Sequence, residues 1–213
     1  MGRLVVIEGL DGAGKRTLAE KLTTAWQANG ARVASMAFPR YGRSVHADLV
    51  REGLHGEHGD LGASVYGMGL LYALDRWGAR AEIRELLAGH DYVLLDRYVA
   101  SNAAYQAARL GEDADGPVVE WVRQLEIERF ELPVPDAQLL LSVPVDLAAQ
   151  RANTRALDEV DRAKDAFESD DGLQRRCAWL YEQLAAENWL SPWYTIDGAA
   201  DLDVSAQFEA LEL

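Results

Sequence analysis

The sequence predicts an α/β fold in which a parallel β-sheet is flanked by helices. Short apolar runs recur along the chain with helical stretches between them, the rhythm of parallel βαβ units. Two of the runs, Val93-Leu94-Leu95 and Leu139-Leu140-Leu141, show no polar alternation, as expected for strands covered on both faces. The first run leads straight into a glycine-rich turn and then a helical stretch, an order that sets up a ligand site at the carboxyl end of a strand.

The predicted strands are residues 3–7, 32–38, 92–96, 137–143 and the weaker 193–196. The predicted helices are 15–29, 64–88, 118–129, 145–151 and 173–187, each carrying apolar residues at helical spacing. Two polar segments, 111–116 and 153–171, interrupt the rhythm. No repeat or linker divides the 213 residues, so one domain over 1–213 is expected.

Apolar residues make up 49% of the chain and charged residues 26%, which excludes a disordered or collagen-like chain. Lys and Arg number 21 against 35 Asp and Glu. The resulting net charge of −14 argues against partners held by long-range attraction, whether nucleic acid or an anionic membrane. Any anionic ligand therefore needs a local cationic site. The lone Cys177 cannot form an internal disulfide, which fits a reducing compartment. The apolar start at 4–7 is too short for a secretory or membrane segment and meets Glu8 at once, so the expected location is cytoplasmic.

The strongest motif is Gly9-Leu10-Asp11-Gly12-Ala13-Gly14-Lys15-Arg16-Thr17, lying between a strand and a helix as a P-loop requires. Glycines let successive backbone N–H groups turn toward phosphate oxygens, the helix N-terminus adds partial positive charge, and Lys15 adds a full one. The pattern departs from the general form at Arg16, which stands where a hydroxyl usually reaches Mg²⁺, with Thr17 one place later. A bound Mg²⁺ would then rely on carboxylates and waters, and Arg16 could supply charge to a transferring phosphoryl group.

Asp96 and Arg97 follow the third strand directly, where ligands bind in open α/β sheets. Asp96 suits a metal-bound water, and Arg97 can clamp a phosphate through two hydrogen bonds. The second strand ends in Phe38-Pro39-Arg40-Tyr41, where proline stops the ladder and puts Arg40 and Tyr41 at the cleft rim.

The segments Glu8-Gly9-Leu10-Asp11-Gly12-Ala13-Gly14-Lys15, Phe38-Pro39-Arg40-Tyr41, Leu74-Asp75-Arg76 and Asp96-Arg97-Tyr98 together resemble the bacterial thymidylate kinase family. The Lys-Arg-Thr ending of the loop is similar to its actinobacterial, mycobacterial-type members. The resemblance implies a P-loop kinase fold with a five-stranded parallel sheet, a mobile lid at about 151–168 and a homodimer. It implies transfer of the ATP γ-phosphoryl group to dTMP with Mg²⁺.

Carried onto this chain, the resemblance places ATP on Gly9, Asp11, Gly12, Ala13, Gly14, Lys15, Arg16 and Thr17, with Arg151 and Arg155 from the lid. It places dTMP among Asp11, Phe38, Tyr41, Tyr72, Arg76, Arg97, Asn102, Tyr105, Arg162 and Phe167. Asp11, Asp96 and Glu168 are the candidates near Mg²⁺, and Lys15, Arg16, Asp11, Arg97 and Arg155 carry the transfer. Two positions differ from common relatives: Tyr72 replaces a frequent phenylalanine, and Phe167 replaces a tyrosine.

The base chemistry agrees with these positions. Thymine offers O4 as acceptor and a ring N–H as donor, whereas cytosine has an amino donor in place of O4. A donor such as Arg76 can therefore reject cytosine, Tyr72 four residues earlier can stack, and the amide oxygen of Asn102 can meet the ring N–H. Tyr105 would sit near the deoxyribose. The apolar helical stretch with Tyr66, Met68, Leu70, Leu71 and Leu74 could bury surface against a second subunit. Competing readings are a kinase for another nucleoside monophosphate or a deoxynucleoside, and a nucleotide-dependent switch. The absence of a guanine-reading N-K-x-D motif disfavours a typical GTPase, and the acceptor-side arginines have no clear duty in a simple switch.

Overall fold

The computed structural model describes residues 2–154 in full, the backbone of 155–158, Phe167, and residues 170–199. The predicted strands all form, with boundaries shifted by a residue at most: β1 (Arg3–Glu8), β2 (Val33–Ala37), β3 (Tyr92–Asp96), β4 (Ala137–Ser142) and β5 (Trp193–Asp197). They make one sheet of order β2-β3-β1-β4-β5, every neighbouring pair parallel. β1 lies at the centre with β3 on one side and β4 on the other, so the carboxyl ends of the strands leading to the predicted loops are neighbours. The register sets Ile7 beside Asp96, and Arg97 N–H continues the ladder by donating to the Ile7 carbonyl at 2.9 Å.

The side chains of Val5, Val6, Ile7, Val93, Leu95 and Leu139 are fully buried, which explains their unbroken apolar runs. Helices cover both faces: α1 (Lys15–Ala28), α2 (Val45–Leu54), α3 (Val65–Gly89), α4 (Val99–Leu110), α5 (Pro117–Arg123), α6 (Val145–Asp158) and α7 (Asp171–Ala186). α1 buries Leu18, Leu22 and Trp26 at four-residue spacing, and the Trp26 ring stacks on Tyr92 with centroids 4.4 Å apart. α7 buries Leu173, Cys177, Leu180, Tyr181 and Leu184 in the same way.

Three features depart from the expectation. The predicted helix 118–129 is α-helical only through Arg123 and continues as a π-helical turn over Gln124–Arg129, closed by Phe130 N–H on the Leu125 carbonyl at 2.9 Å. Helix α6 runs seven residues beyond the predicted end at Arg151, to Asp158. Helices α2 and α4 are additional to the predicted five. Residues 99–108 of α4 are all buried, the polar Ser101, Asn102 and Gln106 included, so no solvent-facing side marks the helix. Among the described residues, no helix is long and apolar enough to cross a membrane.

Candidate active site

The turn between β1 and α1 is the predicted P-loop in backbone as well as sequence. Gly14 precedes α1 at φ 99° and Gly12 stands at φ 80°, both left-handed conformations that side chains rarely adopt. A Cβ on Gly12 would come within 2.1 Å of the Ala148 carbonyl of α6, so the loop needs glycine there for space as well as conformation. Lys15 begins α1, is buried, and turns back over the loop to donate to the Gly9 and Leu10 carbonyls at 3.2 and 2.8 Å. Burial, reinforced by the nearby Arg97 charge, pulls the Lys15 ammonium below its ordinary pKa.

Arg97 is the hub of the site. It follows β3 at φ 66°, a left-handed backbone that costs a non-glycine residue about 1–3 kcal/mol and is kept where surrounding contacts fix it. Nη2 donates to Asp11 Oδ1 at 2.7 Å, and Nη1 donates to Ser101 Oγ at 3.1 Å and Tyr181 Oη at 3.3 Å. Tyr105 Oη donates to Asp11 Oδ2 at 3.0 Å, and the Lys15 ammonium lies 4.0 Å from Asp11 Oδ1. Burial pushes the Asp11 carboxyl up, but the Arg97 and Lys15 charges outweigh it and hold Asp11 below the usual carboxylate range. Two cations, Lys15 and Arg97, thus meet over one carboxylate.

Beneath this cluster lies Glu8, the last residue of β1 and fully buried. Its Oε1 accepts from the Tyr98 and Ser101 backbone N–H groups at 2.9 and 3.3 Å, so a carboxylate caps the N-terminus of α4. Its Oε2 accepts from Ser101 Oγ at 2.5 Å and Tyr181 Oη at 3.2 Å. Burial raises the Glu8 pKa. Burial and the Glu8 charge also raise that of Tyr181, which keeps its hydroxyl a donor. Asp96 ends β3 with Oδ1 buried and no hydrogen-bond partner among the described residues. An unshared carboxylate oxygen next to the loop is a fitting anchor for a hydrated Mg²⁺.

On the acceptor side, Phe38 is buried and Tyr41 exposed, with Arg51 over the Tyr41 ring at 5.7 Å. Arg40, read from sequence as facing the cleft, is instead held by Asp75: its backbone N–H and Nε each donate to that carboxylate at 2.9 Å. Arg76 is buried and forks onto Glu126, with Nη2 donating to Oε1 at 2.7 Å. Asn102 Nδ2 donates to Glu126 Oε1 and the Gly69 carbonyl, both at 2.9 Å, while its Oδ1 accepts from Gln106 Nε2 at 3.2 Å. Tyr72 is half-buried one helical turn before Arg76. Tyr105 stacks near Phe167 at 6.2 Å, and Arg109 lies over the Phe167 ring at 4.8 Å.

Arg16 points away from the loop in this state. It is 73% exposed and paired with Glu20 one turn on, because a side chain at that place in the first turn faces solvent. Thr17 is exposed as well, and Ala13 is buried. Arg151 reaches back to the loop side, donating to the Gly198 and Ala13 carbonyls at 3.0 and 3.4 Å. Arg162, Glu168 and the Arg155 side chain lie outside the described residues, as do residues 159–166 of the segment expected to be the lid.

Sequence reasoning named neither Glu126 nor Tyr181 as part of a site, and it cited Glu8 only within a motif. Each carried a signal. Glu126 falls eight residues after Val118 and four after Val122, an acid on the apolar stripe of a predicted helix. Tyr181 lies four after Cys177 on the buried stripe of α7, and Glu8 closes the apolar run 4–7 of β1.

The thymidylate kinase family model matches residues 7–199. The chain is 54% identical over 200 residues to the thymidylate kinase of Mycobacterium tuberculosis strain H37Rv, covering 94% of this chain and 92% of that protein. It is 34% identical over 218 residues to the thymidylate kinase of Xanthomonas oryzae pv. oryzae, covering 95% and 78% respectively. The solved structure of thymidylate kinase from Candida albicans superposes with a TM-score of 0.71 at 23% identity, over 99% of this chain and 91% of that one, which establishes a shared fold. With the loop, the strand-end arginine and the parallel sheet in their places, the chain belongs to the thymidylate kinase family.

Proposed function

We propose that the protein transfers the γ-phosphoryl group of ATP to the phosphate of dTMP, giving dTDP and ADP, with the residues assigned as follows. The backbone of Gly9, Gly12, Ala13 and Gly14, together with Lys15 and Thr17, holds the donor phosphates. Arg97 and Tyr41 hold the dTMP phosphate, whose oxygen attacks the γ-phosphorus as the bond to the β-γ bridging oxygen breaks. The observation that carries the reading is the Lys15-Asp11-Arg97 cluster, which brings a donor-phosphate cation and an acceptor-phosphate cation onto one carboxylate. In phosphoryl transfer, positioning and charge neutralisation supply most of the acceleration, and this cluster offers both.

Arg16 must leave Glu20 and swing inward to meet the γ-phosphate, and Arg155 would join it from the lid, excluding water that would otherwise accept the group. Asp11, Asp96 and Glu168 are the carboxylates that would hold Mg²⁺ or its water shell, and the ion would neutralise charge on the phosphate oxygens. Tyr72 stacks on the thymine, Arg76 and Asn102 read its edge, and Tyr105 packs against the sugar with Phe167 behind it, Arg162 completing the pocket. Exposed Tyr66, Leu70 and Trp77 on α3 support a homodimer formed through that face. An enzyme that draws on the ATP pool of the cell interior belongs in the cytoplasm.

The test is an acceptor panel of dTMP, dUMP, dCMP, dGMP, UMP and thymidine with ATP and Mg²⁺. Clear preference for dTMP supports the reading. Preference for another monophosphate or for thymidine would replace it with a different kinase, and ATP hydrolysis indifferent to acceptor would indicate a switch.

A further inference from the structure

We infer that Glu126 is a specificity-positioning residue: its carboxylate fixes both groups that read the nucleobase and so sets the preference of the pocket for thymine over cytosine. The inference rests on the reading above, in which Arg76 and Asn102 face the base.

Glu126 is fully buried on the π-helical turn after α5, and it binds side chains from two other helices. Both of its oxygens are engaged by the Arg76 fork from α3, and Oε1 also accepts from Asn102 of α4. Stability alone is a weak reason for such a pair. Two charges taken out of water lose hydration, and apolar residues of similar volume often serve as well. The geometry offers a better reason. A fork through Nε and Nη2 fixes the guanidinium plane and leaves Nη1 as the nitrogen that Glu126 does not engage. On Asn102, both amide hydrogens are spent, on Glu126 and on Gly69, which fixes the orientation of the amide. Its Oδ1 accepts one hydrogen bond from Gln106 and keeps a second lone pair for a ring N–H.

One carboxylate therefore holds a donor and an acceptor in a fixed frame. Discrimination requires that the frame cannot yield. Against cytosine, a fixed arginine N–H meets the amino donor and neither finds a partner, whereas a loose arginine could turn aside. A glutamine at 126 would put an N–H against one nitrogen of the fork and release it.

The test compares Glu126→Gln, Glu126→Asp and Arg76→Ala with the unaltered protein, measuring kcat/KM for dTMP and dCMP, KM for ATP, and thermal melting. For Glu126→Gln, the dTMP to dCMP ratio should narrow by about tenfold or more, the size expected when a polar recognition group loses its setting. KM for ATP should stay within about twofold, a split that a general loss of structure would not produce. Glu126→Asp, which keeps the charge on a shorter arm, should narrow the ratio less. If Arg76→Ala changes the ratio but a folded Glu126→Gln does not, the inference is overturned and base reading by Arg76 stands. If Arg76→Ala leaves the ratio unchanged, the base-reading assignment itself fails and takes the inference with it. If Glu126→Gln does not fold, Glu126→Asp decides by the same ratio, and failure of both to fold makes Glu126 a folding residue and overturns the proposal.

Discussion

Arg97 at the end of β3 donates from Nη2 to Asp11 Oδ1 in the P-loop over 2.7 Å, tying the end of that strand to the glycine-rich turn. Because the guanidinium simultaneously holds Ser101 and Tyr181 through Nη1, its position depends on planar, two-armed geometry. An ammonium keeps the charge and loses the fork. Arg97→Lys should therefore lower kcat/KM for dTMP by on the order of 10²-fold while the protein still melts cooperatively, as read by steady-state kinetics and calorimetry.

Asp11 makes a pH-dependent contribution whose direction follows from its lowered pKa. The folded state holds the carboxylate below its ordinary value of 3.8, so unfolding takes up protons in acid. That stabilisation is complete above 3.8 and is lost as pH falls through the folded value. Asp11→Asn should thus separate from the unaltered protein in melting temperature at neutral pH, and the gap should close below that value. A gap that widened in acid would contradict the electrostatic account.

Tyr181 projects from α7, where its hydroxyl donates to Glu8 and accepts from Arg97 Nη1. Removing that hydroxyl leaves Arg97 Nη1 with Ser101 as its partner and exposes the Glu8 carboxylate to an apolar ring. Tyr181→Phe should cost about 1–3 kcal/mol of stability by chemical denaturation, the usual range for a buried hydrogen bond lost from one side. KM for dTMP should rise while KM for ATP holds, as the proposed grip of Arg97 on the acceptor phosphate requires.

Gly12→Ala tests the loop itself. The added methyl meets the Ala148 carbonyl and must adopt a left-handed backbone, so both space and conformation oppose it. The change should weaken ATP binding by tenfold or more, about 1.4 kcal/mol at the least, measured by titration calorimetry with a non-hydrolysed ATP analogue. Binding of dTMP should change far less.

Much of this arrangement was legible in the sequence because its signals are local. Strand limits followed from apolar runs bounded by charge or proline, and the P-loop followed from glycines whose backbone has to turn left-handed. What escaped was contact across the fold. Arg76 was read as a base-reading donor without its counter-ion, because Glu126 lies fifty positions away. Arg40 looked like a ligand contact at a loop start, yet Asp75 occupies it from thirty-five positions on. Helix α4 was obscured because its polar Ser101, Asn102 and Gln106 are buried along with the alanines, so their spacing marks no solvent face. The π-helical turn at Gln124–Arg129 differs from an α-helix in hydrogen-bond span, a property that side-chain spacing does not report.

The burial of Cys177 has a practical consequence. It is the chain's one cysteine, it is fully enclosed on α7, and burial pushes its thiol pKa up, so the folded protein presents no native reactive sulfur. Thiol reagents will then report opening of the core rather than surface chemistry. Conversely, a cysteine introduced at exposed Thr154 would accept a fluorophore by itself, giving a label on α6, the helix whose Ala148 and Ala152 abut the P-loop, with no background to subtract.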